Sequence, residues 1–144
     1  MTPGPTFLGY PRSDGHVGVR NHVLVIPTVI CAAVVAERIA AAIEPIGAAL
    51  PHLAGCGQIG PDLNVTHTTL AAYARHPNVG AVLVVALGCE QVVAQQLADA
   101  ARQSGRPAHV VSIQGEGGTV RATARGIEIA RELAATVARA ERTL

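Results

Sequence analysis

The sequence contains no lysine and no tryptophan, and its aromatic residues are Phe7, Tyr10 and Tyr73. All 11 basic residues are arginine, which excludes Schiff-base chemistry on a lysine and a P-loop lysine. So few rings leave no base-stacking platform, and a net charge of +1 gives no strong field for a phosphate backbone or an anionic lipid surface. Nucleic acid is therefore not an expected partner. Charged residues are only 15% of the chain against 49% apolar, where soluble domains usually carry roughly 25% charge. A surface so poor in charge is expected to be covered by partner subunits, in an oligomer.

The apolar run at residues 23–36 contains Pro27 and falls short of the ~20 residues that a membrane span needs. It also lies behind a proline- and glycine-rich start, unlike a secretory leader. No membrane association is expected, and the expected compartment is the cytoplasm. Three cysteines, an odd number, then point to thiols or metal ligands rather than a disulfide framework.

What is present is one domain's worth of chain, 144 residues, enough for a self-sufficient core. Residues 1–20 carry Pro3, Pro5, Pro11 and four glycines, with a turn signal at Ser13-Asp14-Gly15 and no helical period. They are expected to form an N-terminal arm or short hairpin. Residues 21–144 read as a single α/β domain of four βα units. Strands are expected at residues 22–29, 48–53, 80–87 and 108–113, each an apolar or β-branched run. Helices are expected just after Cys31, at residues 63–75, at 90–103, and from a cap at Thr119 with Val120, Ile127, Ala130, Ala134 and Val137 as the buried stripe. The fold class is therefore α/β, a three-layer Rossmann-like or flavodoxin-like domain with a mainly parallel sheet of about four strands.

Right-handed crossovers place every strand-to-helix turn on one edge of such a sheet, where open α/β domains bind ligands. Cys31, Cys56 and Cys89 follow the first, second and third strands. Adjacent strands are ~4.8 Å apart, so the three thiols are expected to converge within the reach of a metal ion or an iron–sulfur cluster, with a ligand position left open. The competing reading is that each cysteine is a small buried apolar residue at a strand end. The turns at residues 55–60, 88–90 and 115–119 are glycine-rich, and are expected either to leave amides free for a carboxylate or to be simple tight turns. None completes a dinucleotide fingerprint or a P-loop. Arg20 and Asn21 open the first strand, on the opposite edge, where Arg20 reads as a surface residue. His52, His67 and His76 are candidate acid, base or ligand groups, although a lone histidine is usually a bystander.

At these residues the sequence resembles the altronate and galactarate dehydratase family, which also includes the sulfolactate sulfo-lyase large subunit. The segments that carry the resemblance are GYPRSDGHVGVRN, PTVIC, GCGQIGPD and RHPNVGAVLVVALGCE, with SIQGEGGT similar to the sulfo-lyase branch. Only the middle portion of the family is covered, so a companion chain carrying the remaining domains is expected. Thr66-His67-Thr68 replaces a Thr-Arg-Thr motif of the family.

The resemblance implies β-elimination, either dehydration or sulfite elimination, from a small sugar acid or hydroxy-acid, supported by iron as a cluster or as a single Fe2+. A base would remove the proton next to the carboxylate while iron polarises the departing group. Cys31, Cys56 and Cys89 match family cysteines and are the expected iron ligands. Arg20, Asn21, Thr28, Gln58, Thr66, His67 and Glu90 are expected to position substrate or cofactor, and no catalytic base is assigned. The alternatives are a non-catalytic module binding a small anion at its glycine turns, and a flavodoxin-like electron carrier, for which aromatic rings are too few.

Overall fold

The computed structural model describes Gly4 and residues 6–144, so Pro3 and Pro5 of the expected arm lie outside the described residues. Two short strands, β1 (Tyr10–Pro11) and β2 (Val17–Gly18), pair antiparallel around the turn at Asp14 and Gly15. This hairpin is fastened to the domain by side chains. Arg12 donates from Nε to Pro77 O and from Nη2 to Arg20 O, Ser13 donates to Ser104 O, and Asp14 pairs with the buried Arg106.

The main sheet contains β3 (His22–Pro27), β4 (Gly47–Ala49), β5 (Val79–Ala86) and β6 (Ala108–Ser112). All neighbours are parallel and the order is β4-β3-β5-β6. Strand side chains alternate between faces, and the core divides accordingly. Val23 and Val25 meet α1 (Ala33–Ala41) and α4 (Thr119–Val137), whereas Leu24 and Ile26 meet α2 (Gly60–Ala74) and α3 (Ala94–Gln103). Helices thus cover both faces of a largely apolar sheet, the three-layer α/β arrangement. Close contact between α1 and α4 is possible because Gly126 carries no side chain. A Cβ there would collide with Ile39 Cδ1.

Several boundaries differ from expectation for physical reasons. β4 is three residues long because the ladder ends at Pro51, which has no N–H to donate; Leu50 N–H makes the last bond, to Val25 O. Helix α2 starts at Gly60, with Pro61 in its first turn, where a missing N–H costs nothing. Helix α3 starts at Ala94, since Glu90 is folded back onto the turn instead of entering the helix. Thr119 is the first helical residue of α4 rather than its cap; Gly118 holds that position without a side-chain bond. The buried stripe of α4 is Ala122, Gly126, Ile129, Ala130, Leu133 and Val137, while Val120 is 83% exposed.

Candidate active site at the carboxyl edge of the sheet

The chain leaves β3 for β4 on one side and returns to β5 on the other, so strand order reverses between β3 and β5. Such a switch point opens a crevice at the carboxyl ends of the two strands. Thr28, fully buried, stands at the end of β3 and donates its hydroxyl hydrogen to Glu90 Oε1 at 2.5 Å, with Val85 O a second acceptor at 3.3 Å. The same carboxylate accepts the N–H of Leu87 at 3.1 Å and of Gly88 at 2.6 Å. Partial burial alone would raise the pKa of Glu90. The hydroxyl of Thr28 and the backbone amides outweigh it, so the acid is held below its ordinary value of 4.5. Glu90 is therefore a fixed anion joining two central turns.

The loop after β4 is tied to the same point. His52 Nδ1 accepts the Ala54 N–H at 3.2 Å, which makes Nε2 the protonated nitrogen and the donor to Pro27 O at 2.8 Å. Ile30 N–H donates to Ala54 O, and Gly55 N–H donates to Gln58 Oε1 at 3.1 Å. Gly55 has φ +103°, and a Cβ there would lie 2.6 Å from Thr28 O. Only glycine permits this approach of one loop backbone to the next.

On this frame sit the three thiols. Cys31 lies in a single 3-10 turn (Ile30–Ala32), Cys56 in the loop after β4, and Cys89 between Gly88 and Glu90; all three are exposed and unpaired. Exposure removes the reading of these cysteines as buried apolar residues. Their chemistry suits a soft metal. Yet among the described residues no group of three or more His, Cys, Asp or Glu side chains is placed to hold a metal ion. The thiols share an edge without forming a ready-made metal centre. Around them Leu53, Ile59, Val93 and Val120 are exposed, at 87%, 79%, 49% and 83%. Leu53 and Ile59, large apolar side chains inside an otherwise polar loop, were the available sequence signal for this rim, whereas the helical spacing assigned Val120 to the core.

At two of the three glycine turns the amides expected to be free are largely in use. Leu87 and Gly88 serve Glu90, Gly115 N–H donates to Ser112 Oγ, and the amides of Glu116, Gly117 and Gly118 donate to carbonyls of residues 112–114. These two turns therefore bind their own chain, whereas in the 55–60 turn the Gly55 amide donates to Gln58 Oε1 and the amides of residues 56–59 have no partner among the described residues. Thr66, on α2, lines a cavity of about 170 Å³ with His52, Ala54 and Leu70. His67 is half-buried, with Nε2 lacking a partner among the described residues. His76 accepts the Asn78 N–H and lies at the amino edge of β5. Arg20 and Asn21 also lie at the amino edge, on the far side of the sheet from the thiols. Asn21 donates to Val137 O, and its Oδ1 rests against Gly80, the extra residue where the β3–β5 register shifts.

Residues 9–138 match the model of the second domain of the D-galactarate dehydratase/altronate hydrolase family. The chain belongs to this family. Similar members include the (2R)-sulfolactate sulfo-lyase subunit beta of Chromohalobacter salexigens, 41% identical over 104 residues that make up 72% of this chain and 26% of that protein. Altronate dehydratase of Bacillus subtilis is 40% identical over 94 residues, 59% of this chain and 19% of the enzyme. Altronate dehydratase of Escherichia coli is 43% identical over 90 residues, 56% of this chain and 18% of the enzyme. The chain thus matches about a quarter or less of the length of these relatives. No described helix is long and apolar enough to cross a membrane.

Proposed function

We propose that this chain is the α/β domain of a lyase that eliminates water or sulfite from a small hydroxy-acid or sugar acid, and that a companion chain or domain completes the site. The observation that carries this reading is that three exposed cysteines lie on the turns after β3, β4 and β5, with the Thr28–Glu90 pair joining two of those turns, in a domain whose relatives are named dehydratases and a sulfo-lyase.

Elimination next to a carboxylate needs a base for the α-proton. The described groups at this edge do not supply an obvious one. Glu90 is stabilised as an anion by three donors, which weakens it as a base, and both ring nitrogens of His52 are engaged. In this reading the base is either His67, whose Nε2 has no partner among the described residues, or a group of the companion part, and the apolar rim of Leu53, Ile59, Val93 and Val120 suits a surface that such a part covers. In this reading the chain's own residues position: Glu90 and Thr28 fix the central turns, Gln58 shapes the loop of Cys56, and Thr66 faces the His52 cavity. The cofactor in this reading is iron held by Cys31, Cys56 and Cys89. The thiols as they stand do not form a metal centre, so binding requires their loops to draw together.

The test is anaerobic incubation of the chain with Fe2+, with and without sulfide, followed by iron, sulfide and visible-absorption analysis. Stoichiometric iron lost in a C31S/C56S/C89S variant supports the iron reading. Iron that binds equally to the variant, or not at all, overturns it. The lyase reading is tested separately, by sulfite or 2-oxo-acid release from sulfolactate or altronate when the remaining domains of a relative are added.

A further inference from the structure

Arg20 and Asn21 have no part in the carboxyl-edge site, and their surroundings point to a second one. At the amino edge, Tyr10, Arg20, Asn21, His22, Pro45, Ile46, Val137 and Arg142 enclose much of a cavity of about 340 Å³. Two guanidinium groups meet at its mouth. Arg20 Nη1 and Arg142 Nη2 both reach the single carbonyl oxygen of Val19, at 3.2 and 3.4 Å. Arg142 also lies over the Tyr10 ring, 5.1 Å from its centroid, and Arg12 lies over the same ring at 5.7 Å.

Two cations therefore lie over one tyrosine, a third, Arg20, shares the Val19 carbonyl with one of them, and none of the three forms an ion pair among the described residues. Asp14, the acid of the hairpin, is committed to Arg106. Each guanidinium carries five N–H donors in a fixed fork suited to a carboxylate or phosphate, and one shared carbonyl satisfies little of that capacity. The opposite wall, Pro45, Ile46 and Val137, is apolar. We infer that this cavity binds a small organic anion, a carboxylate or phosphate on a short apolar body, with Arg20 and Arg142 gripping the charge. This site is separate from the carboxyl-edge site, and the inference stands whether or not the lyase reading holds.

Phosphate and butyrate serve as probes, titrated into the full chain while amide NMR shifts and thermal unfolding are followed at fixed ionic strength. Saturable shifts centred on Tyr10, Arg20, His22 and Arg142 are expected for at least one probe, with butyrate bound more tightly than acetate, of the same charge, because it offers the apolar wall a chain. Arg142→Gln and Arg20→Gln are each expected to weaken binding about tenfold, the loss of one charged hydrogen-bonding partner. Ala140→Phe, which fills the cavity without changing charge, is expected to abolish it. Both arginines and Ala140 are exposed, so the variants should keep the wild-type unfolding profile. Absence of saturable binding by either probe overturns the inference. So does binding that survives Ala140→Phe and falls only in proportion to net charge, which is ion screening and not a cavity.

Discussion

Thr28 and Glu90, 62 positions apart, join the ends of the two central strands through one hydroxyl-to-carboxylate hydrogen bond. Thr28 has no access to solvent, so its hydroxyl depends on the partners it has. Replacing Glu90 by alanine leaves that hydroxyl and the amides of Leu87 and Gly88 without their acceptor. The expected cost is about 1–3 kcal/mol, the range for hydrogen bonds to a charged group, with partial exposure keeping it from rising further. Urea unfolding at neutral pH measures it, and an unchanged midpoint for Glu90→Ala would remove the structural role given to this pair.

The same pair predicts a pH dependence. Glu90 is more acidic folded than at its ordinary 4.5. A group whose folded pKa is depressed adds stability that is complete above the unfolded value and is lost as pH falls toward the folded one. Stability should therefore decline below about pH 4.5 in the wild type, and less steeply in Glu90→Gln. Parallel acid limbs in the two proteins would contradict the assignment.

Gly55 tests how closely the loops must approach. Its φ of +103° and a Cβ position 2.6 Å from Thr28 O make Gly55→Ala both strained and crowded. A loss of about 1–3 kcal/mol is expected from the backbone strain. Hydrogen exchange should quicken at Ile30, whose amide bonds to Ala54 O next to it. Gly57→Ala is the comparison, since it shares a positive φ but meets nothing within 4 Å, and it should cost less.

The layered fold was legible because hydrophobic burial leaves a direct trace in sequence. The run at β5 is buried over nearly its whole length, and such a run can only be a central strand. Glycine placement likewise marked the turns. The destination of the turn amides was not legible, because Glu90 reads equally well as the start of α3 until its carboxylate is seen folded onto Leu87 and Gly88. The stripe of α4 was misplaced at Val120 for a related reason: the buried residues of its first half are Ala122 and Gly126, which hydrophobicity alone distinguishes poorly from the exposed side. Arg142 escaped notice because its cavity is made by the chain's end meeting β1, a contact of Thr143 with Gly9 that no local pattern encodes.

Asp14 and Arg106 link the hairpin to the sheet, and their titration is expected to be separable from that of Glu90. The Arg106 hydrogen bond, aided by the His16 amide, lowers Asp14 from 3.8 to about 2. The sign is again that of a depressed acid, so its contribution is present above pH 3.8 and is lost as pH falls from there toward about 2. Asp14→Asn should remove that lowest part of the acid limb while leaving the region near 4.5 intact. It should also destabilise the protein at neutral pH, because Arg106 is only 2% exposed and loses its carboxylate. An Asp14→Asn protein as stable as the wild type at pH 7 would show that the hairpin is held by Arg12 and Ser13 instead.

The exposure of Cys31, Cys56 and Cys89 makes a prediction that needs no metal. All three thiols should react with a small aromatic disulfide in the folded protein, without denaturant, because reaction requires only access and ionisation. Buried thiols would instead wait for unfolding. Placing the three on one edge adds a second expectation: a bulky maleimide on any one of them should slow labelling of the others, since their loops are joined by the Ile30–Ala54 and Thr28–Glu90 bonds. Strictly independent rates at the three sites, with either reagent, would show that the thiols share an edge of the sheet but not a common mouth, and a single ligand gripping all three would then have no place to sit.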